Sequence, residues 1–186
     1  MRKEAALLCA ALLCISLAGC SSATSAKYDA DNAAQETSDY PTTLSGFSSL
    51  DLNGNTVDDG VFSCAEITIV NFWATYCGPC INEMPDLQTW NTQLPTNVQM
   101  IGVVCDVPNT ASSTAETARS IVEQAGVEYT NVIAQGQLAT YAESLVGVPT
   151  TVLVDSSGSV VAGPIVGANL EGYKIALQTA LSNVAL

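Results

Sequence analysis

The 186-residue sequence predicts an α/β fold: a mixed central sheet flanked by helices on both sides. Three observations point there. Ile67 to Ala74 is an apolar run broken only by Thr68 and Asn71, the pattern of a central strand buried on both faces. Beyond Cys77-Gly78-Pro79-Cys80, the residues Ile81, Met84, Leu87, Trp90 and Leu94 recur at three- to four-residue spacing, as on an amphipathic helix. A second apolar run, Val98 to Val104, then reads as a parallel neighbour of the first, because a helical crossover joins parallel strands.

Taken in order, the chain begins with Met1-Arg2-Lys3, a short basic start followed by Glu4. Ala5 to Ala18 is an apolar run of 14 residues, shorter than the roughly 20 that span a bilayer. It ends in Leu17-Ala18-Gly19-Cys20, which resembles a bacterial lipoprotein signal. That resemblance implies export, cleavage before Cys20 and a lipid on Cys20. An ordinary secretory signal with an incidental Cys20, or an uncleaved anchor, are the readings set against it. Ser21 to Thr43 is rich in Ser, Ala, Thr and Asp and reads as a flexible tether. The expected organisation is 1–19 signal peptide, 20–43 lipidated Cys20 and acidic tether, and 44–186 folded domain.

Phe47, Leu50 and Leu52 lead into Asn53-Gly54, then Thr56 and Val57, which predicts a hairpin with a type I′ turn. Ser113-Thr-Ala-Glu116 reads as a capping box opening a helix whose face is Ala115, Ala118, Ile121, Val122 and Ala125, closed by Gly126. Tyr129 to Ala134 is a short strand, and Leu138, Tyr141, Ala142 and Leu145 mark another helix. Thr151–Val154 and Ser159–Ala162 flank Asp155-Ser-Ser-Gly158 as an antiparallel hairpin, and Leu170, Tyr173, Leu177, Leu181 and Val184 share one side of a final helix.

Two thiols thus sit where a buried strand ends and a helix begins. With Cys77 near the helix N-cap, unsatisfied N–H groups and the positive end of the dipole favour its thiolate. Cys80, one turn in, can reach the same sulfur and resolve a mixed disulfide. Cys77 is expected to be the exposed nucleophile and Cys80 the shielded resolving thiol. Pro79 suits a helix start, where a missing N–H costs nothing. The chain has no histidine, which excludes Ser-His-Asp and Cys-His catalysis and c-type haem attachment. Three basic against seventeen acidic residues from Cys20 onward disfavour nucleic acid and anionic surfaces as partners. Of seven cysteines, Cys64, Cys77, Cys80 and Cys105 belong to the folded part. Cys64 and Cys105 are expected at opposite ends of the sheet, unbonded to each other and buried as small apolar side chains.

At this point the residues Phe72-Trp73-Ala74-Thr75-Tyr76-Cys77-Gly78-Pro79-Cys80 resemble the active-site signature of the thioredoxin superfamily. Glu83-Met84-Pro85, the N-terminal hairpin and the helix and strand over Ser113 to Ala134 are similar to the extracytoplasmic TlpA/ResA type of thiol-disulfide reductase. The resemblance implies a thioredoxin-like fold with an αβ insertion and a redox-active disulfide between Cys77 and Cys80. It also implies a cis Pro149 facing that disulfide, with Val148 offering its backbone to an extended substrate. Tyr76, Gly78 and Pro79 would shape the rim. Pro85 would be the kink proline of the helix. Where plain thioredoxin has a buried acid, this chain has Asn71, and Glu83 is the matching acid of the TlpA/ResA group; the bland reading is a solvated surface carboxylate. The implied partners are disulfide-containing exported proteins and a membrane thiol electron donor of the cytochrome-c-biogenesis type. The implied setting is a monomer lipid-anchored on the outside of the bacterial cell membrane. No cofactor and no metal are expected.

Direction follows from the Gly-Pro dipeptide, shared with thioredoxin at about −270 mV, which favours a reductase. Two other functions compete. A peroxiredoxin-like peroxidase wants Thr-x-x-Cys with a nearby arginine, whereas Thr75 is two before Cys77 and Arg119 is the only arginine of the domain. A non-catalytic lipoprotein would use Cys77 and Cys80 as a structural bridge or half a metal site, but zinc wants four ligands.

Overall fold

In the computed structural model the two apolar runs become neighbouring strands in the middle of the main sheet. Residues 40–184 are described; the expected signal segment 1–19, Cys20 and the tether up to residue 39 lie outside them. β1 (Ser48–Leu50) and β2 (Thr56–Asp58) form a hairpin, and a 3-10 helix (Asp59–Cys64) leads to β3 (Ile67–Trp73). Then come α1 (Gly78–Asn91), β4 (Val98–Val104), α2 (Ser113–Gln124), β5 (Asn131–Ile133) and α3 (Gln137–Ser144). β6 (Thr150–Asp155), β7 (Val160–Val166) and α4 (Leu170–Val184) complete the order.

The five-stranded sheet runs β5-β4-β3-β6-β7, with β3, β4 and β5 parallel and β6 and β7 antiparallel to their neighbours. This is the mixed sheet that the sequence predicts. Side chains alternate along each strand. Ile67 and Ile69 of β3, with Leu153 of β6, pack under Leu87 and Trp90 of α1 and Tyr173 and Leu177 of α4. Val70, Phe72, Val152 and Val154 point the other way, against Leu138 and Tyr141 of α3 and Leu44, Phe47 and Phe62. Each such fully buried side chain contributes about 1.5–3 kcal/mol. Asn71 shares the α1/α4 face with Ile67 and Ile69, so the alternation places one amide beneath the helix that carries the cysteines.

Gly102 of β4 lies opposite both Asn71 and Asn131. A Cβ there would collide with Asn131 Oδ1, which accepts from the buried Trp73 indole N–H at 2.9 Å. Only glycine leaves room for that cross-strand bond. At the start of the domain, packing reaches back to Tyr40, whose ring stacks on Tyr141, and Thr43 bridges to Ser159.

Several local expectations are corrected. The hairpin forms, but Asn53-Gly54 is not a two-residue type I′ turn: Leu50 pairs with Thr56, so the loop spans residues 51–55. Asp51 sets it, because its carboxylate accepts the Asn53 and Asn55 N–H groups and its carbonyl accepts from Gly54. The cap of α2 is Ser112 rather than Ser113, its hydroxyl accepting the Ala115 N–H. β7 runs on to Val166 through Pro164, tolerable on an edge strand where no ladder N–H is needed. Cys64 and Cys105 are both free, as expected, but neither is fully buried: Cys64 is exposed because it closes the 3-10 helix at the surface, and Cys105, just past the end of β4, is only partly covered.

Candidate functional site

α1 starts where β3 delivers it. After Trp73 the chain turns through Ala74 to Tyr76, with Cys77 N–H donating to the Ala74 carbonyl at 3.0 Å. Asp106, just past β4, clamps this turn: its carboxylate accepts from both the Thr75 N–H and the Thr75 hydroxyl. Cys77 is then the N-cap of α1, with Gly78 and Pro79 opening the first turn, and its sulfur accepts the Cys80 N–H at 3.2 Å. Cys77 and Cys80 are joined by a disulfide, their Cα atoms 5.3 Å apart.

A cavity of about 420 Å³ opens beside this disulfide. Tyr76, Cys77, Gly78 and Pro79 form one side, and Ala142, Leu145, Gly147 and Val148 another; Cys105 also lines it. None of these side chains is charged. Tyr76 stands out at the rim, 78% exposed. The Cys77 sulfur lies 3.4 Å from the Val148 carbonyl oxygen, and the Val148–Pro149 peptide is cis. Among the described residues the Val148 N–H has no backbone acceptor. The expectation that Cys77 is exposed needs correcting: it is 6% exposed against 1% for Cys80, because the Val148 segment leans over it. The pair nevertheless differs in the expected sense, since Cys77 lines the cavity and Cys80 does not.

Glu83 is no solvated carboxylate. At 8% exposed it lies on the buried side of α1, while Ile81, expected there, is only partly covered. Oε1 accepts from Asn71 Nδ2 at 3.0 Å, and the Tyr173 hydroxyl lies 3.2 Å from Oε2. Asn71 Nδ2 also reaches the Thr151 hydroxyl at 3.0 Å. Burial pushes the Glu83 carboxyl up to about 7 from its ordinary 4.5, against the opposing pull of the Asn71 and Tyr173 hydrogen bonds. Burial likewise pushes the Cys105 thiol up to about 12, so it stands in the cavity as a protonated, unreactive thiol near neutrality.

The structure thus brings Tyr76, Cys77, Gly78, Pro79 and Val148 to one cavity, with Cys80 behind and Glu83 deeper under α1. Sequence reasoning missed Asp106, Thr151 and Tyr173. Only Asp106 left a signal, as a lone acid at the C-terminal end of an apolar run, where α/β sheets carry their sites.

The chain is 30% identical over 93 residues to the thiol-disulfide oxidoreductase ResA of Halalkalibacterium halodurans, covering 50% of this chain and 49% of that protein. It is also 30% identical over 104 residues to the thiol:disulfide interchange protein HelX of Rhodobacter capsulatus, covering 54% of each. It therefore spans about half the length of the curated relatives it matches. Among solved structures, the thioredoxin domain of a thiol-disulfide oxidoreductase from Bacteroides vulgatus superposes with a TM-score of 0.56 at 25% identity, covering 74% of this chain and 97% of that one. A thioredoxin-family thiol:disulfide interchange protein from Chlorobium tepidum gives 0.62 at 24% identity, covering 76% and 97%. The AhpC/TSA family model matches residues 42–162, well over half of the chain, and by that match this chain, thioredoxin-like in fold, belongs to the AhpC/TSA family.

Proposed function

We propose that this chain is an extracytoplasmic, lipid-anchored thiol-disulfide oxidoreductase that reduces disulfides in exported proteins. The observation that carries the chemistry is a Cys77–Cys80 disulfide at the N-terminus of α1, its Cys77 sulfur beside the Val148 carbonyl in a cavity walled by uncharged side chains. In the reduced protein the Cys77 thiolate, supported by the Cys80 N–H and the helix start, attacks one sulfur of a substrate disulfide. The other substrate sulfur leaves as a thiolate and takes up a proton. Cys80 gives its proton to Glu83 and attacks the Cys77 sulfur, expelling the second substrate thiolate and closing the disulfide. Two electrons pass to the substrate, and a membrane thiol donor of the cytochrome-c-biogenesis type returns them. A carboxyl with its midpoint near 7 is suited to exchange protons at neutral pH. The Val148 N–H and carbonyl, held in place by the buried Pro149 behind them, offer an edge to an extended substrate segment, with Tyr76, Gly78 and Pro79 at its rim.

The relatives named as oxidoreductase and interchange protein support this reading. The peroxidase alternative gains nothing from Arg119, whose guanidinium is held by the Leu52 and Thr110 carbonyls beside a different cavity. Insulin reduction by dithiothreitol is the test. The wild type is expected to accelerate precipitation and Cys77→Ser to leave the uncatalysed rate. No acceleration by wild type would overturn the proposal. The reductive direction requires a potential near thioredoxin's, about −270 mV; a value near that of the strong oxidant DsbA, about −120 mV, would reverse it.

Anchoring is proposed on Cys20, with apocytochrome c among the candidate substrates and a monomer as the working state. No helix among the described residues is long and apolar enough to cross a membrane. Cys20→Ala is expected to move the protein from membrane to soluble fraction, and equal membrane retention of both forms would refute lipidation.

A further inference from the structure

The Tyr173 hydroxyl sits between two acceptors. It lies 2.6 Å from the Gly167 carbonyl oxygen and 3.2 Å from Glu83 Oε2, and the residue is fully buried. A phenol has one proton to give. When Glu83 is ionised, its carboxylate and the Gly167 carbonyl compete for that proton. When Glu83 is protonated on Oε2, the carboxyl O–H donates to the phenol oxygen and the phenol donates to Gly167, so every group is satisfied. The two protonation states of Glu83 therefore impose different proton arrangements at Tyr173.

Gly167 passes this on. Its own N–H donates to the Pro149 carbonyl at 2.8 Å, and the residue before it, Val166, pairs with Thr150. Pro149 follows Val148, whose carbonyl touches the Cys77 sulfur. We propose that Tyr173 is a positioning residue that couples protonation of Glu83 to the backbone of the Val148–Pro149 segment through Gly167. This rests on the reading of Cys77 and Cys80 as an exchange pair, and it adds regulation of the substrate edge by the proton that Cys80 releases. A proton arriving on Glu83 from Cys80 secures the Tyr173–Gly167 bond. Its departure puts that bond in competition and loosens the hold on Pro149.

The groups facing Glu83 are few. Asn71 of β3 is neutral and so is Thr151 of β6, which touches Asn71 and Tyr173; Cys80, one turn earlier on α1, is in the disulfide, and the phenols are Tyr173 of α4 and Tyr129 at the entry to β5. Both phenols keep their protons at neutral pH, since burial pushes each of them up. Glu83 is thus the group of this cluster that titrates there.

The test uses the full oxidised chain, labelled with ¹³C and ¹⁵N, titrated from about pH 5 to about pH 9 by NMR. In the wild type the Gly167 amide is expected to shift with the same midpoint as the Glu83 carboxyl carbon. In Tyr173→Phe the carboxyl should still titrate, its midpoint raised by about half a unit or more through loss of a donor, while the Gly167 response falls at least about threefold. Glu83→Gln, whose amide donates permanently to the phenol oxygen, should hold Gly167 at its acid-state position throughout. An unchanged Gly167 titration in Tyr173→Phe overturns the relay. So does a Gly167 amide that ignores the Glu83 titration in the wild type, or one that still titrates in Glu83→Gln, which keeps the proposal exposed even if the phenylalanine variant misfolds. Because the titration needs no substrate, a coupled Gly167 with no insulin reduction would sink the functional reading and leave the relay standing.

Discussion

Cys80→Ser is expected to accumulate dithiothreitol-sensitive adducts with exported proteins, while Cys77→Ser captures none. The asymmetry follows from placement. Cys77 caps α1 and lines the cavity, so its sulfur meets the substrate; Cys80 is 1% exposed and can reach only Cys77. Without the nucleophile there is no first bond, and insulin reduction should fall by about three orders of magnitude or more. Without the resolving thiol the first bond forms and stays, because Cys105, the other free thiol of the cavity, is held protonated by burial. Mass spectrometry of alkylated extracts would identify the adducts and the sulfur that carries them. Adducts trapped equally by Cys77→Ser, or faster alkylation of Cys80 than of Cys77 in the reduced wild type, would reverse the assignment.

The second large effect is on stability. The Glu83 carboxyl titrates near 7 in the folded protein against an ordinary 4.5, so the native state holds this proton more tightly than the unfolded chain. The protein is then expected to lose stability as pH rises from about 4.5 to about 7 and to lose no more on this account above that, a total of about 3 kcal/mol. Glutamine copies the neutral acid: its carbonyl can still accept from Asn71 and its amide can face the Tyr173 oxygen. Urea denaturation of the oxidised proteins should find Glu83→Gln equal to wild type near pH 4 and more stable by about 3 kcal/mol near pH 8. Other carboxylates titrate in both proteins, so the difference isolates this one. Parallel stability curves across the range would mean that Glu83 is ionised in the fold without penalty.

β4 was legible to the residue and β3 to within one, the run reading on to Ala74 where the strand ends at Trp73, because strands buried on both faces need largely apolar runs; their parallel pairing followed from the helix between them. The Cys77–Cys80 site was legible because its chemistry depends on local spacing at a helix start. What failed was whatever another part of the chain decides. The Asn53-Gly54 signal is a real turn signal, but the Asp51 carboxylate captured the neighbouring N–H groups and lengthened the loop. Two adjacent serines offered two caps for α2, and only the backbone chooses between them. The state of Glu83 rests on Asn71 from β3 and Tyr173 from α4, residues 12 and 90 positions away. Nothing in Glu83-Met84-Pro85 announces them.

The N-terminal segment fastens onto chain that is made much later. Thr43 bonds to Gly158, 115 residues on, and Ser49 bonds to the Ile133 carbonyl, 84 residues on. During synthesis, which proceeds from the N-terminus, Leu44 and Phe47 are therefore among the first core residues to appear and among the last to be covered. The segment's contacts with residues 133 to 158 cannot form before those residues exist, and loop-closure entropy makes such distant contacts slow to form. Until residues near 158 arrive, this stretch of the nascent chain is open to holding chaperones and to proteases.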